Sequence, residues 1–77
     1  MLTAIKVKSA KGKVKQYKLT DGQGLYLLVK PNGGKLWRFK YRFGGKEKLL
    51  SFGTYPEISL VEARAKRDEA RKQVANG

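Results

Sequence analysis

The run Lys35-Leu36-Trp37-Arg38-Phe39-Lys40-Tyr41-Arg42-Phe43 constrains the fold more than any other part of the chain. Trp37, Phe39, Tyr41 and Phe43 alternate strictly with Arg38, Lys40 and Arg42. Successive side chains of a strand point to opposite faces, so this segment is a strand with one aromatic and one cationic face. Turn chemistry stands on both sides of it: Pro31-Asn32-Gly33-Gly34 before and Gly44-Gly45 after. Residues 25–30 and 46–52 then read as neighbouring strands, and residues 24–52 form an antiparallel β-meander.

The aromatic face needs a cover, because a meander alone leaves one apolar face wet. The sequence supplies one after Gly53-Thr54-Tyr55-Pro56-Glu57. Ser59 and Glu62 form a capping box that starts a helix at Leu60, and this C-terminal element occupies residues 59–76. Leu60, Ala63, Arg67, Ala70 and Val74 recur at helical spacing as one thin apolar stripe. Gly77 falls where a C-terminal glycine cap would sit. The fold class is therefore α+β: a three-stranded antiparallel sheet packed on one C-terminal helix.

The start of the chain is less defined, and a short extra N-terminal strand or helix is left open. Thr3 can cap a short helix running to about Ala10. Residues 11–18 read as an exposed basic arm or a first edge strand, and Thr20-Asp21-Gly22-Gln23-Gly24 as a turn. The chain is expected to be a single domain, residues 1–77, with residues 1–18 as its basic arm. At 77 residues it lies near the lower limit for a self-sufficient core. It has no cysteine and no histidine, so no disulfide or thiolate metal site supports it.

Charge narrows the partner. The net charge is +12, from 18 basic and 6 acidic side chains. Residues 1–48 hold 13 of the basic and 2 of the acidic groups. A field of that sign on so small a domain attracts polyanions, nucleic acid foremost. No carboxylate pair, Ser/His/Asp set or metal-ligand spacing is present, so neither catalysis, cofactor nor metal is expected. Gly22-Gln23-Gly24 precedes a strand and opens no helix, which voids it as a dinucleotide loop. No run approaches the roughly 18 apolar residues of a membrane span, and the start lacks a signal peptide's apolar stretch. Cytoplasmic residence is expected.

The strand parity divides the side chains. Leu25, Leu27, Val29, Leu50 and Phe52 should join Trp37 in the core. Tyr26, Leu28, Lys30, Glu47, Leu49 and Ser51 should share the outer face with Arg38, Lys40 and Arg42. A basic β face suits the major groove, which is wide enough to admit one. The candidate DNA contacts are Tyr26, Leu28, Lys30, Arg38, Lys40, Arg42 and Ser51. Lys46 and Lys48 beside the second turn and Lys15 in the basic arm complete the set. The competing reading of this face is a plain solvated surface, but three cations on one strand against Glu47 alone disfavour it. The spaced series Lys6, Lys8, Lys11, Lys13, Lys15 and Lys18 either tracks phosphates or forms a solvated arm. Arg64, Lys66, Arg67, Arg71 and Lys72, interleaved with Glu62, Asp68 and Glu69, read as a solvated helix face with local ion pairs.

Three segments carry a family resemblance. Leu19-Thr20-Asp21-Gly22-Gln23-Gly24-Leu25-Tyr26-Leu27-Leu28-Val29 resembles the opening of prophage and genomic-island integrases of the tyrosine recombinase family. Gly34-Lys35-Leu36-Trp37-Arg38-Phe39-Lys40-Tyr41-Arg42 is similar to that family's tryptophan-bearing strand. Leu50-Ser51-Phe52-Gly53-Thr54-Tyr55-Pro56, with Ser59-Leu60-Val61-Glu62-Ala63-Arg64, is similar to its strand–helix junction. The resemblance covers nearly the whole chain. It implies the N-terminal arm-type DNA-binding domain, which grips repeats at the attachment site of a mobile element during integration and excision. It further implies that the catalytic and core-binding domains lie outside this chain, in a parent that is a tyrosine site-specific recombinase. Accessory DNA-bending and excision proteins are implied as partners, with the isolated domain a monomer. Two other readings stand beside it: a double-stranded-RNA-binding module, and a protein-interaction module using outward Leu28 and Leu49. The first would want a basic opening to the second helix, which Ser59-Leu60-Val61-Glu62 does not give.

Overall fold

Both ends of the chain are helical and the middle is one continuous sheet. In the computed structural model, which describes residues 1–76, α1 spans Ala4–Ser9 and α2 spans Leu60–Asn76. Between them run β1 (Tyr17–Gly22), β2 (Leu25–Val29), β3 (Lys35–Phe43) and β4 (Lys46–Tyr55), paired antiparallel in the order β1-β2-β3-β4. The helix starts follow their caps. The Thr3 hydroxyl accepts the Lys6 amide at 3.2 Å, and Ser59 Oγ accepts the Glu62 amide at 3.2 Å while Glu62 reaches back to Ser59 N. The glycine cap expected at Gly77 lies outside the described residues.

The meander and its covering helix form as expected, but the sheet has four strands where three were expected. The extra strand, β1, takes in Thr20-Asp21-Gly22, read above as a turn. Tyr17 and Leu19 alternate with Lys18 and Thr20 and pack against the core, which holds the segment extended. With a partner on each edge, β2 is buried at all five positions. The β3–β4 turn needs its glycines: Gly44 (φ 61°) and Gly45 (φ 77°) both sit in the left-handed region that suits a tight hairpin. Trp37 faces Gly53 and Arg38 faces Ser51, so Phe52 is the extra residue of a bulge and β4 continues to Tyr55.

Trp37, Phe39, Leu25, Leu27, Val29 and Val7 form the fully buried centre, closed by Leu60 and Ala63 of α2 and by Leu2. Leu50 was expected inside but is 38 % exposed, and Phe43 is 46 % exposed. At the hairpin end of the inner face Tyr41, Phe43 and Leu50 border an open depression whose α2 side is formed by Ala70, Gln73 and Val74. Phe52 is half-buried and stacks on Phe39, with centroids 5.9 Å apart.

Two polar links fasten the helices. Lys35 Nζ donates to the carbonyls of Val7 (2.7 Å) and Lys8 (3.1 Å), closing the C-terminal end of α1. Asp21, 3 % exposed, accepts from the Leu2 amide (2.9 Å), from Arg64 Nε (2.9 Å) and Nη2 (2.8 Å), and from Arg67 Nη1 (3.1 Å). This corrects the reading of Arg64 and Arg67 as part of a solvated helix face, while Lys66, Arg71 and Lys72 are exposed as expected. Among the described residues only Arg67–Asp68, at 3.0 Å, is a local pair on the helix. Arg64 and Arg67 turn inward because a buried carboxylate is strongly destabilising without counter-charge. The Arg64 hydrogen bond, ahead of the Leu2 amide and the charges of both arginines, holds the Asp21 carboxyl below its ordinary range despite burial. The basic segment before β1 is also tethered. Tyr17 Oη donates to the Lys11 carbonyl at 2.6 Å, and Gly12 nests so closely on the β2–β3 turn that a Cβ would strike the Pro31 carbonyl.

Trp37 links sheet to turn as well as filling the core, since its indole N–H donates to the Ile58 carbonyl at 2.7 Å. Trp37→Phe should therefore lower stability by about 1–3 kcal/mol, because the carbonyl is left without its donor. A urea titration followed by circular dichroism should show a lower midpoint with an unchanged slope.

Candidate nucleic-acid interface

The strand register decides which side chains share the uncovered face. Across it run two rows of paired residues: Lys18, Leu28, Leu36 and Thr54, then Thr20, Tyr26, Arg38 and Ser51. Lys40 beside Leu49 and Arg42 beside Glu47 extend it along the β3–β4 hairpin. Helix α2 lies on the opposite side, against Trp37 and the inner residues of β2. Gln16, Lys18, Tyr26, Arg38, Lys40, Glu47 and their neighbours line a shallow depression of about 360 Å³ across all four strands.

The expected residues are not all on this face. Arg38, Lys40, Arg42, Tyr26, Leu28 and Ser51 are together. Lys30 follows the end of β2 and is half-buried, and Lys15 is exposed in the loop before β1. Lys46 and Lys48 pair with Phe43 and Tyr41, which the register puts on the inner side, although Lys48 also borders the outer depression. Tyr26 and Leu28, at 7 % and 5 % exposure, are largely covered although they point outward. Lys18 explains part of that cover, with its Nζ 4.9 Å from the centre of the Tyr26 ring. Sequence reasoning placed neither Lys18, Thr20 nor Gln16 here. The short alternation Tyr17-Lys18-Leu19-Thr20 was the available signal, and it would have put Lys18 beside Tyr26.

Charge on the face is almost one-sided. Glu47 is its single carboxylate among the described residues, bound to Lys40 at 3.3 Å with both side chains about half exposed. That pair is weak. The side chains of Arg38 and Arg42 make no hydrogen bond or ion pair among the described residues, and Arg38 Nε is buried without a partner. On the helix side, by contrast, Arg64 and Arg67 are held by Asp21, and Arg71 donates to Gln23 Oε1 at 2.8 Å. Arg38 and Arg42 of the sheet are thus the arginines whose side chains lack a partner among the described residues, while Lys66 and Lys72 of α2 are exposed to solvent. Among the described residues no group of three or more His, Cys, Asp or Glu is placed to hold a metal, and no helix is long and apolar enough to cross a membrane.

The domain is thus a small four-stranded sheet with one face under a helix and the other carrying Arg38, Lys40 and Arg42. A family model described as "Arm DNA-binding domain" matches residues 2–77, and the chain belongs to that family. It is a binding unit of DNA rather than an enzyme. Its relatives include the integrase of Shigella phage Sf6, 48 % identical over 77 residues covering 100 % of this chain and 20 % of that protein. The integrase of Enterobacteria phage P4 is 51 % identical over 78 residues, 99 % of this chain and 18 % of that protein. The Escherichia coli prophage integrase IntS is 48 % identical over 77 residues, again 100 % of this chain and 20 % of that protein. The chain spans about a fifth of the length of these curated relatives. The resemblance to phage and prophage integrases holds from end to end.

Proposed function

We propose that this domain binds arm-type DNA repeats sequence-specifically at the attachment site of a mobile element. In this reading it is the arm-binding part of a larger tyrosine site-specific recombinase and supports integration and excision. The outer sheet face enters the major groove, with Arg38, Lys40, Arg42 and Lys18 as its cations and Tyr26 and Ser51 as polar neighbours. Lys30 and Lys15 approach the flanking backbone. Lys46 and Lys48 lie towards the hairpin tip, where Lys48 borders the same depression and Lys46 is a peripheral contact. Accessory DNA-bending and excision proteins belong to the full assembly, and the setting is the bacterial cytoplasm. The carrying observation is that Lys18, Arg38, Lys40 and Arg42 share the one sheet face that no helix covers, with Glu47 as its single carboxylate among the described residues. A double-stranded-RNA reading has less support, because α2 opens with Ser59-Leu60-Val61-Glu62 and packs away from the basic face. An apolar protein-docking reading of this face is weakened too, since Leu28 is buried and leaves Leu49 alone.

Fluorescence-anisotropy titration against duplex carrying arm repeats and against scrambled duplex tests this directly. Binding should be tighter to the repeat, with a log–log salt slope near −5 for about six phosphate contacts. Equal affinity for the two duplexes would reject sequence-specific recognition.

A further inference from the structure

The three cations of β3 do not stand in equivalent places. Arg38 lies in the row that crosses the sheet through Thr20, Tyr26 and Ser51, with two strands on one side and one on the other. Lys40 and Arg42 lie further along, towards the Gly44-Gly45 tip, and both are exposed. Arg38 is half-buried, and its Nε is covered with no acceptor. Its stem is thereby fixed against the sheet, which leaves the terminal fork of the guanidinium as the part able to meet a ligand. When a sheet face enters the major groove, its middle meets base edges and its margins meet the phosphate ridges. A planar fork held at the middle matches the O6 and N7 acceptors of guanine, whereas exposed and mobile cations suit phosphate.

We infer that Arg38 is the residue that reads sequence, by bidentate recognition of one guanine, while Lys40 and Arg42 position the domain on phosphates. This rests on the groove-binding reading above and assigns separate tasks within that face. Holding the guanidinium in place beforehand reduces the ordering cost of the contact. Lys40 is suited to a different role, because its link to exposed Glu47 is easily exchanged for a phosphate oxygen.

The test is selection of binding sites from a random duplex library by the 77-residue chain and its R38A, R38K, K40A and R42A variants. The wild-type motif should contain a G·C pair that becomes unconstrained with R38A. R38K keeps the charge but lacks the fork, so it should lose the same preference while retaining the wild-type salt slope. That variant separates reading from charge, and a thermal melt of each variant reports folding. K40A and R42A should keep the full motif, each with a salt slope shallower by about 0.9. Placing 7-deazaguanine at that position should weaken wild-type binding about tenfold and leave R38A unaffected. A motif unchanged in folded R38A and R38K would overturn the assignment, as would loss of preference at a base other than guanine. Absence of any motif with the wild-type chain would instead defeat sequence-specific binding itself.

Discussion

Replacing Arg38 and Arg42 together by alanine is expected to cut affinity for arm-repeat duplex on the order of 100-fold, with the fold intact. A bidentate base contact contributes about 1–3 kcal/mol of discrimination, and each lost phosphate partner reduces the counterion-release contribution. The salt slope should become shallower in the double variant because fewer cations then displace counterions. Stability should hardly change, within about 0.5 kcal/mol, since neither arginine side chain makes a hydrogen bond or ion pair among the described residues. Removing two like charges from one strand also relieves repulsion. Anisotropy and a thermal melt on the same preparation check both halves. The matched control is K66A/K72A, which removes the same charge from exposed positions of α2. A loss of affinity as large in that control would show that net charge, and not the outer face, governs binding.

What the sequence revealed follows from how local each signal was. The meander and α2 were legible because their determinants are neighbours in the chain: a period of two in β3, Gly44-Gly45, and Ser59 with Glu62. Strand β1 was harder to see, because its pattern lasts only four residues before Asp21 and Gly22 imitate a turn. The cationic face was read correctly along β3, where parity alone suffices. It was incomplete across the sheet, because Lys18 joins only through pairing of β1 with β2. Lys46 and Lys48 have inner-side parity, yet Lys48 borders the outer depression from the edge strand, which parity alone does not reveal. The role of Asp21 was not legible at all. Its partners Arg64 and Arg67 are 43 and 46 residues away, and nothing in the local pattern distinguishes a latch from a turn aspartate.

That latch should be one of the most sensitive points in the molecule. Asp21→Ala is expected to lower stability by about 3 kcal/mol, the low end for breaking a buried ion pair, because Arg64 remains 30 % exposed and is partly hydrated. For a chain of this size, with total stability of about 4–12 kcal/mol, that is a large share. The change removes the acceptor of the Leu2 amide, leaves the Arg64 guanidinium without a carboxylate and leaves Arg67 with exposed Asp68 alone. Protonation should imitate it. The folded carboxyl titrates below its ordinary range, so its stabilisation is fully present above about pH 4 and is lost as pH falls through the lowered folded value. Glu57 is lowered too, by its hydrogen bond from Thr54, but it is fully exposed and common to both proteins, so a difference measurement removes it. Urea midpoints measured from pH 7 to pH 2.5 for wild type and Asp21→Asn should therefore converge at the acid end. Asp21→Asn should be the weaker protein at pH 7 and the flatter one below pH 4. Parallel curves would mean that the Asp21 charge contributes nothing beyond the shape of its side chain.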